Sequence, residues 1–202
     1  MRLLPLALVL ALLVASPIRA SDVELSGAEG HPRDRFPLAV HITPSGEASL
    51  DAAAKRALGD WNAVSDGTLG LLVFRGAATD TGADVTVTFH GEAARLMGVT
   101  RVATTGGVIE RPVRITIFPM EARGQTSRET LVYQVVAHEL GHALGLAHTR
   151  DPQSLMCCVH GSLDFNDPVA RQAYVSARRN PDVRTAALQL AEHYAKFWKR
   201  AP

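Results

Sequence analysis

Three histidines and a glutamate stand close together in the segment from His138 to His148. His138 and His142 are four residues apart, so on a helix they lie on one face, about one turn apart, and both imidazoles reach one metal ion. Glu139 is rotated from His138 by about 100° around the same helix. It therefore flanks the ion rather than binding it, and it is the candidate general base for a metal-bound water.

A glycine follows this helix at the place where a third ligand must be brought back. Gly145 adopts a positive φ without penalty, so the chain can reverse there and return His148 to the same ion. Three protein ligands leave the fourth position open for water or a substrate carbonyl, which distinguishes a catalytic zinc from a structural one. The spacing therefore predicts one catalytic zinc ion, bound by His138, His142 and His148.

The remaining sequence predicts the elements that position this segment. Five short runs of apolar or β-branched residues are typical of strands: residues 36–42, 71–74, 84–90, 98–103 and 113–118. Four longer segments carry apolar residues at helical spacing: residues 48–64, 126–144, 167–178 and a last helix beyond Pro181. The first helix is expected to close at the turn Ser65-Asp66-Gly67, and the second to begin with the capping box Thr126–Glu129. This order of strands and helices predicts an α+β domain.

The N-terminal segment has the pattern of a secretory signal. Residues 1–20 contain an early basic residue, a short apolar run and a small-residue end, and the run is too short to span a bilayer. Cleavage after Ala20 would leave a short leader (21–34), a catalytic domain (35–180) and a C-terminal helix (181–202). The protein is expected to be secreted or periplasmic, with an uncleaved N-terminal anchor as the alternative.

Composition narrows the class of partner. A length of 202 residues, 47% of them hydrophobic and 20% charged, fits one globular domain. A net charge of +1 provides no overall field toward nucleic acid or an anionic membrane. We therefore expect any substrate to be recognised locally, with no nucleic-acid partner and no membrane attachment after signal cleavage. The oligomeric state is not fixed by composition, and a monomer is expected.

The motif resembles a known group of enzymes. The segment from His138 to His148, followed eight residues later by Met156, is similar to the metzincin clan of zinc proteases. The short spacing and residues 149–152 are most similar to the matrixins in their short bacterial form. The resemblance extends over residues 36–174. It implies a twisted, mostly parallel sheet with an active-site helix and C-terminal helices, and a secreted endopeptidase that hydrolyses peptide bonds through a zinc-bound water activated by Glu139.

The same resemblance assigns supporting roles. Ser154 and Met156 shape the site, with the methionine beneath the zinc, and Gly145 sets its geometry. Cys157 and Cys158 replace the residues that usually form a wall of the pocket for the substrate side chain after the scissile bond, P1′. Two alternatives stay open for this pair: a reduced Cys158 thiolate that occupies the open zinc position, or a disulfide between neighbours.

Departures from the family also lead to predictions. Animal matrixins usually carry a cysteine-bearing prosegment, whereas this chain has no cysteine before Cys157, so latency of that kind is not expected. Residues 90–111 lack the spacing with which those enzymes hold structural zinc and calcium, so a single zinc is predicted. The strand at 113–118 is expected to border the cleft and to pair with an extended substrate.

Two other functions compete with the peptidase. A secreted zinc-containing binding or toxin module of the same fold would lack peptidase activity, and the intact Glu139 argues against it. A structural zinc domain would need a fourth protein ligand, which Asp151 or Cys158 would have to supply. The C-terminal helix is expected to pack on the domain, with a docking surface for a partner as the alternative.

Overall fold

A five-stranded sheet with helices packed against it forms the fold, and the computed structural model describes residues 25–92 and 96–200. The strands of the sheet are β1 (Leu38–Ile42), β2 (Phe74–Gly76), β3 (Val85–Phe89), β4 (Gly98–Arg101) and β7 (Val113–Ile117). A separate hairpin contains β5 (Thr104–Thr105) and β6 (Val108–Ile109). The helices are α1 (Ala48–Leu69), α2 (Arg128–Ala143), α3 (Pro168–Arg179) and α4 (Ala187–Arg200). The predicted signal and the start of the leader, residues 1–24, lie outside the described residues.

The strand order confirms an α+β fold with a mostly parallel sheet. The order is β2-β1-β3-β7-β4, and every pairing is parallel except that of β4 with β7. β7 lies inside the sheet, so the expectation that residues 113–118 form the exposed strand beside the cleft was wrong. The hairpin β5–β6 turns the chain around at Gly106 and Gly107, and this places β4 antiparallel to β7 at the edge.

Two helix boundaries differ from their predictions because local polar groups are satisfied differently. The turn expected at 65–67 lies within α1, which continues to Leu69 and ends at Gly70 with a φ of 69°. Ser65 donates to the carbonyl of Asn62, so its hydroxyl is satisfied without a turn. The N-cap of helix α2 is Ser127, one residue later than expected. The Ser127 hydroxyl accepts a hydrogen bond from the amide of Thr130 at 3.2 Å.

Helix α2 is fixed by contacts from distant parts of the chain. It packs on α1, where Trp61 is fully buried and donates its indole N–H to the carbonyl of Ala137 at 2.8 Å. At the C-terminal end of α2, the carbonyl of Leu144 accepts a hydrogen bond from the hydroxyl of Tyr194 on α4 at 2.8 Å. The carbonyl of Ala143 accepts from His31 at 2.9 Å. In the part of the chain that the structure describes, no helix combines the length and apolar character needed to cross a membrane.

Candidate active site

The structure brings the three predicted histidines together. The Nε2 atoms of His138 and His142 are 3.1 Å apart, as are those of His138 and His148. The Nε2 atoms of His142 and His148 are 3.2 Å apart. Among the described residues these three form a group able to hold a metal ion, and neither Asp151 nor Cys158 belongs to it. The group therefore provides three ligands and leaves a fourth position for another molecule.

Backbone carbonyls orient two of these imidazoles. Nδ1 of His138 lies 2.8 Å from the carbonyl oxygen of Leu155, and Nδ1 of His142 lies 2.8 Å from that of Leu146. A carbonyl oxygen only accepts, so Nδ1 carries the proton and Nε2 presents a lone pair. Burial lowers the pKa of His142 to about 4 and holds the pKa of His138 well below its usual value. Both rings are therefore neutral at pH 7, as metal ligands must be.

The donor set fits a zinc ion. At least two of the three Nε2 lone pairs face each other across about 3 Å without a proton between them, which is unfavourable unless a cation lies among them. Two nitrogen ligands of a tetrahedral zinc, each at 2.0–2.1 Å, are about 3.3 Å apart. The observed separations of 3.1 and 3.2 Å agree with this value.

Glu139 is held against the edge strand β4. Its side chain is buried, and Oε2 accepts from the hydroxyl of Thr100 at 2.6 Å. The same hydroxyl lies 3.1 Å from the Glu139 carbonyl oxygen. A Cβ atom at Gly98 would lie 2.8 Å from Oε1 of Glu139 and 2.6 Å from Cγ1 of Val135, so the strand approaches this closely only because residue 98 is a glycine. The carboxylate thus has a fixed position beside the histidines.

The turn after α2 brings His148 back to the other two histidines and also orients His142. Gly145 has a φ of 89°, and the amide of Leu146 donates to the carbonyl of Gly141 at 3.0 Å, which closes the helix end. The carbonyl of Leu146 is the group that orients His142. A Cβ atom at Gly145 would overlap the carbonyl oxygen of Glu29. The position therefore requires glycine for both its dihedral angle and its contact with the N-terminal segment.

Replacement of Gly145 by alanine is expected to destabilise the protein more than the same replacement at another glycine of positive φ. The backbone conformation alone costs an alanine about 1–2 kcal/mol, and overlap with the carbonyl of Glu29 adds to that. Gly46 is the matched control, because its φ is 90° and nothing lies within 4 Å of its Cβ position. Chemical denaturation should show a larger loss in Gly145→Ala than in Gly46→Ala, and equal losses would contradict the steric argument.

The methionine turn lies under the active-site helix. Met156 is fully buried, and a Cβ atom at Gly141 would overlap its sulfur, so the turn packs directly on the backbone of α2. Ser154 shapes this turn, because its hydroxyl accepts from the amide of Met156 at 3.1 Å. Leu155, between them, supplies the carbonyl that orients His138. Ser154 and Met156 therefore act on the site through the backbone that they hold.

The adjacent cysteines are joined to each other. Cys157 and Cys158 form a disulfide, and both line the cleft. Sulfur atoms bonded to one another are not thiolates, so the structure has the disulfide that was one alternative rather than a Cys158 thiolate ligand. The pair lies in the wall of the cleft, and its role in the P1′ pocket stays a prediction.

A cleft of about 560 Å³ lies in front of the histidines and Glu139. Several of its lining residues were not predicted: Leu25, Gly98, Thr100, Gln134, Tyr174, Arg178. They come from the N-terminal segment, β4, α2 and α3, and no local spacing in the sequence connects them with the histidine motif. His160, which follows the cysteines, also lines this cleft.

Comparison with known proteins agrees with this geometry. A macrophage metalloelastase from Oryctolagus cuniculus is 41% identical over 46 residues, which represent 23% of this chain and 10% of that protein. The chain thus matches only about a tenth of the length of this relative. The matrixin family model matches residues 38–168, about two thirds of the chain, and this range includes the three histidines, Glu139 and Met156. The chain therefore belongs to the matrixin family of zinc metallopeptidases.

Proposed function

We propose that this protein is an exported zinc-dependent endopeptidase. The observation that carries the proposal is the convergence of three Nε2 atoms beside a buried carboxylate, at the floor of an open cleft. His138, His142 and His148 would hold the ion. A ligand set of three side chains suits catalysis, because the remaining position is available to water or substrate.

Separate groups would carry out the steps of peptide hydrolysis. Zinc, when bound, supplies a Lewis acid that polarises the scissile carbonyl and acidifies water. The Glu139 carboxylate accepts the proton of the attacking water and then delivers it to the leaving amine. The hydrogen bond from Thr100 to Oε2 fixes the direction in which this carboxylate points. Thr100 is therefore a positioning residue for the general base.

The edge strand β4 is the surface on which an extended substrate would lie. It pairs with β7 on one side, and among the described residues no strand pairs with its other side. Met97, Gly98, Thr100 and Val102, within or beside β4, line the cleft. A peptide bound in antiparallel pairing with β4 would pass Glu139 and the histidines with its backbone held by the strand.

Incubation with a peptide library is expected to yield internal cleavage that depends on zinc. Products of the mature protein are sequenced before and after treatment with a zinc chelator, and again after zinc is restored. We expect chelation to abolish cleavage and zinc to restore it, because the three histidines are the only protein ligands proposed for the ion. Peptide binding without cleavage by the zinc-loaded protein would instead favour the binding or toxin module.

We also propose that the protein is secreted or periplasmic. The proposal rests on the signal-like pattern of residues 1–20, with its basic start, short apolar run and small-residue end. N-terminal sequencing of protein exported by the expressing cells should begin at Ser21. Retention of the full N-terminus in the cell membrane would show an uncleaved anchor instead.

A further inference from the structure

Helix α3 contributes Tyr174 and Arg178 to the lining of the cleft, and the guanidinium group of Arg178 is fixed by its contacts. Arg178 is partly buried, and its Nη2 donates to the carbonyl of Cys157 at 2.8 Å. The guanidinium carbon lies 4.8 Å from the centre of the Tyr174 ring. The amide of Gln134 lies beside Arg178, and we assign its oxygen to the side of Nε, because this orientation lets it accept from Nε at 3.2 Å while its nitrogen donates to the Arg178 carbonyl at 3.2 Å. These three contacts hold the planar group in one orientation at the cleft wall.

No carboxylate forms an identified ion pair with this guanidinium in the described part of the chain. The oxygen atoms around it belong to a backbone carbonyl and an amide, which are neutral. The ion pairs among the described residues do not include Arg178. Apart from histidines, the described charged residues that line the cleft are Arg178 and Glu139. A positive charge at the wall of a binding cleft, with donors left over, favours an anionic group on the ligand.

The position of Arg178 relative to β4 indicates which part of a substrate it meets. Arg178 contacts Gln134, whose neighbour Val135 lies against Gly98 at the start of β4. A peptide antiparallel to β4 runs from the end near Val102 toward the end near Gly98. The residues that follow the scissile bond therefore lie on the side of Arg178.

We propose that Arg178 binds a carboxylate of the substrate on the C-terminal side of the scissile bond. The proposal rests on the endopeptidase function proposed above and names its substrate class. Val135, Tyr174 and the Cys157–Cys158 disulfide provide apolar walls for the methylene groups of a side chain, and the guanidinium receives the carboxylate by two parallel hydrogen bonds. A glutamate side chain and the free C-terminus of a short peptide are the two sources of this chemistry.

Matched peptides distinguish these sources. One pair differs only in glutamate or glutamine directly after the cleaved bond, and a second pair differs only in a C-terminal carboxylate or amide. We expect the carboxylate member of one pair to have a kcat/KM roughly 10-fold higher than its neutral partner. This ratio corresponds to the contribution that a hydrogen bond to a charged group typically makes to binding. A preference within the first pair would show that Arg178 binds a glutamate side chain. A preference within the second pair would show that it binds the C-terminal carboxylate. Equal kcat/KM within both pairs would overturn the proposal.

Variants at position 178 separate charge recognition from support of the fold. Arg178→Gln should abolish the preference, whereas Arg178→Lys should retain only part of it, because an ammonium group keeps the charge but not the paired hydrogen bonds. A ratio between matched peptides is insensitive to a general loss of activity. Arg179→Gln is the control, since Arg179 is the exposed neighbour on the same helix. A preference that persists in Arg178→Gln would mean that another group binds the carboxylate.

Binding measurements keep this inference distinct from the proposed activity. Glu139→Ala protein, loaded with zinc, is titrated with the same fluorescently labelled peptides. We expect the carboxylate peptides to have a Kd roughly 10-fold lower than their neutral partners, and Arg178→Gln on this background to remove the difference. Absence of cleavage by the wild-type protein would contradict the endopeptidase function alone, whereas equal Kd values within the pairs would contradict the role of Arg178.

Discussion

Glu139→Ala is expected to lower the rate of peptide cleavage roughly 10²–10⁴-fold while the protein keeps its zinc. The three histidines remain, so the metal site is intact, but the attacking water loses the group that accepts its proton. The fold should tolerate the change, because the Thr100 hydroxyl also lies 3.1 Å from the backbone carbonyl of residue 139. Steady-state kinetics and metal analysis on the same preparation measure both effects.

The matched control is a second glutamate on the same helix. Glu129 lies in the exposed first turn of α2, away from the cleft. Glu129→Ala should cleave at the wild-type rate. Equal rates for Glu139→Ala and the wild type, on any cleaved peptide, would eliminate Glu139 as the general base.

His148→Ala is expected to weaken zinc binding more than roughly 100-fold. Loss of a group that only supports a metal ligand costs 10–100-fold in affinity, and loss of the ligand itself should cost more. Zinc binds the folded state, so the variant should also lose about 2.7 kcal/mol or more of the stabilisation that saturating zinc gives. Competition with a chromogenic chelator measures the affinity, and thermal unfolding with and without zinc measures the stabilisation.

Two comparisons make this result specific. Without zinc, His148→Ala and the wild type should unfold at similar temperatures, because an exposed side chain contributes little to packing. His90→Ala, at an exposed histidine outside the group of three, should bind zinc like the wild type. Full zinc occupancy in His148→Ala would require another third ligand.

The parts of the site that depend on local spacing were predictable from the sequence. His138 and His142 share a helix face because of helical geometry, and the reversal at Gly145 follows from the φ angle that glycine permits. The position of Glu139 beside the metal ligands follows from the same helix. Each of these arguments needs only residues close together in the chain.

The parts that depend on distant residues could not be predicted in this way. The hydrogen bond between Thr100 and Glu139 joins residues 39 apart, and the carbonyl of Leu155 that orients His138 is 17 residues away. The strand at the edge of the sheet was misjudged for the same reason. Alternation of apolar residues identifies a strand but says nothing about its neighbours, which depend on how the intervening chain returns.

The paired hydrogen bonds at the end of α2 join the metal site to residues from both ends of the described chain. The carbonyl of Ala143 accepts from His31, and that of Leu144 accepts from Tyr194, 50 residues further along the chain. His148 follows the turn that these two carbonyls precede. Removal of the last helix would therefore take away the hydrogen-bond partner of the Leu144 carbonyl, just before the turn that leads to the third zinc ligand.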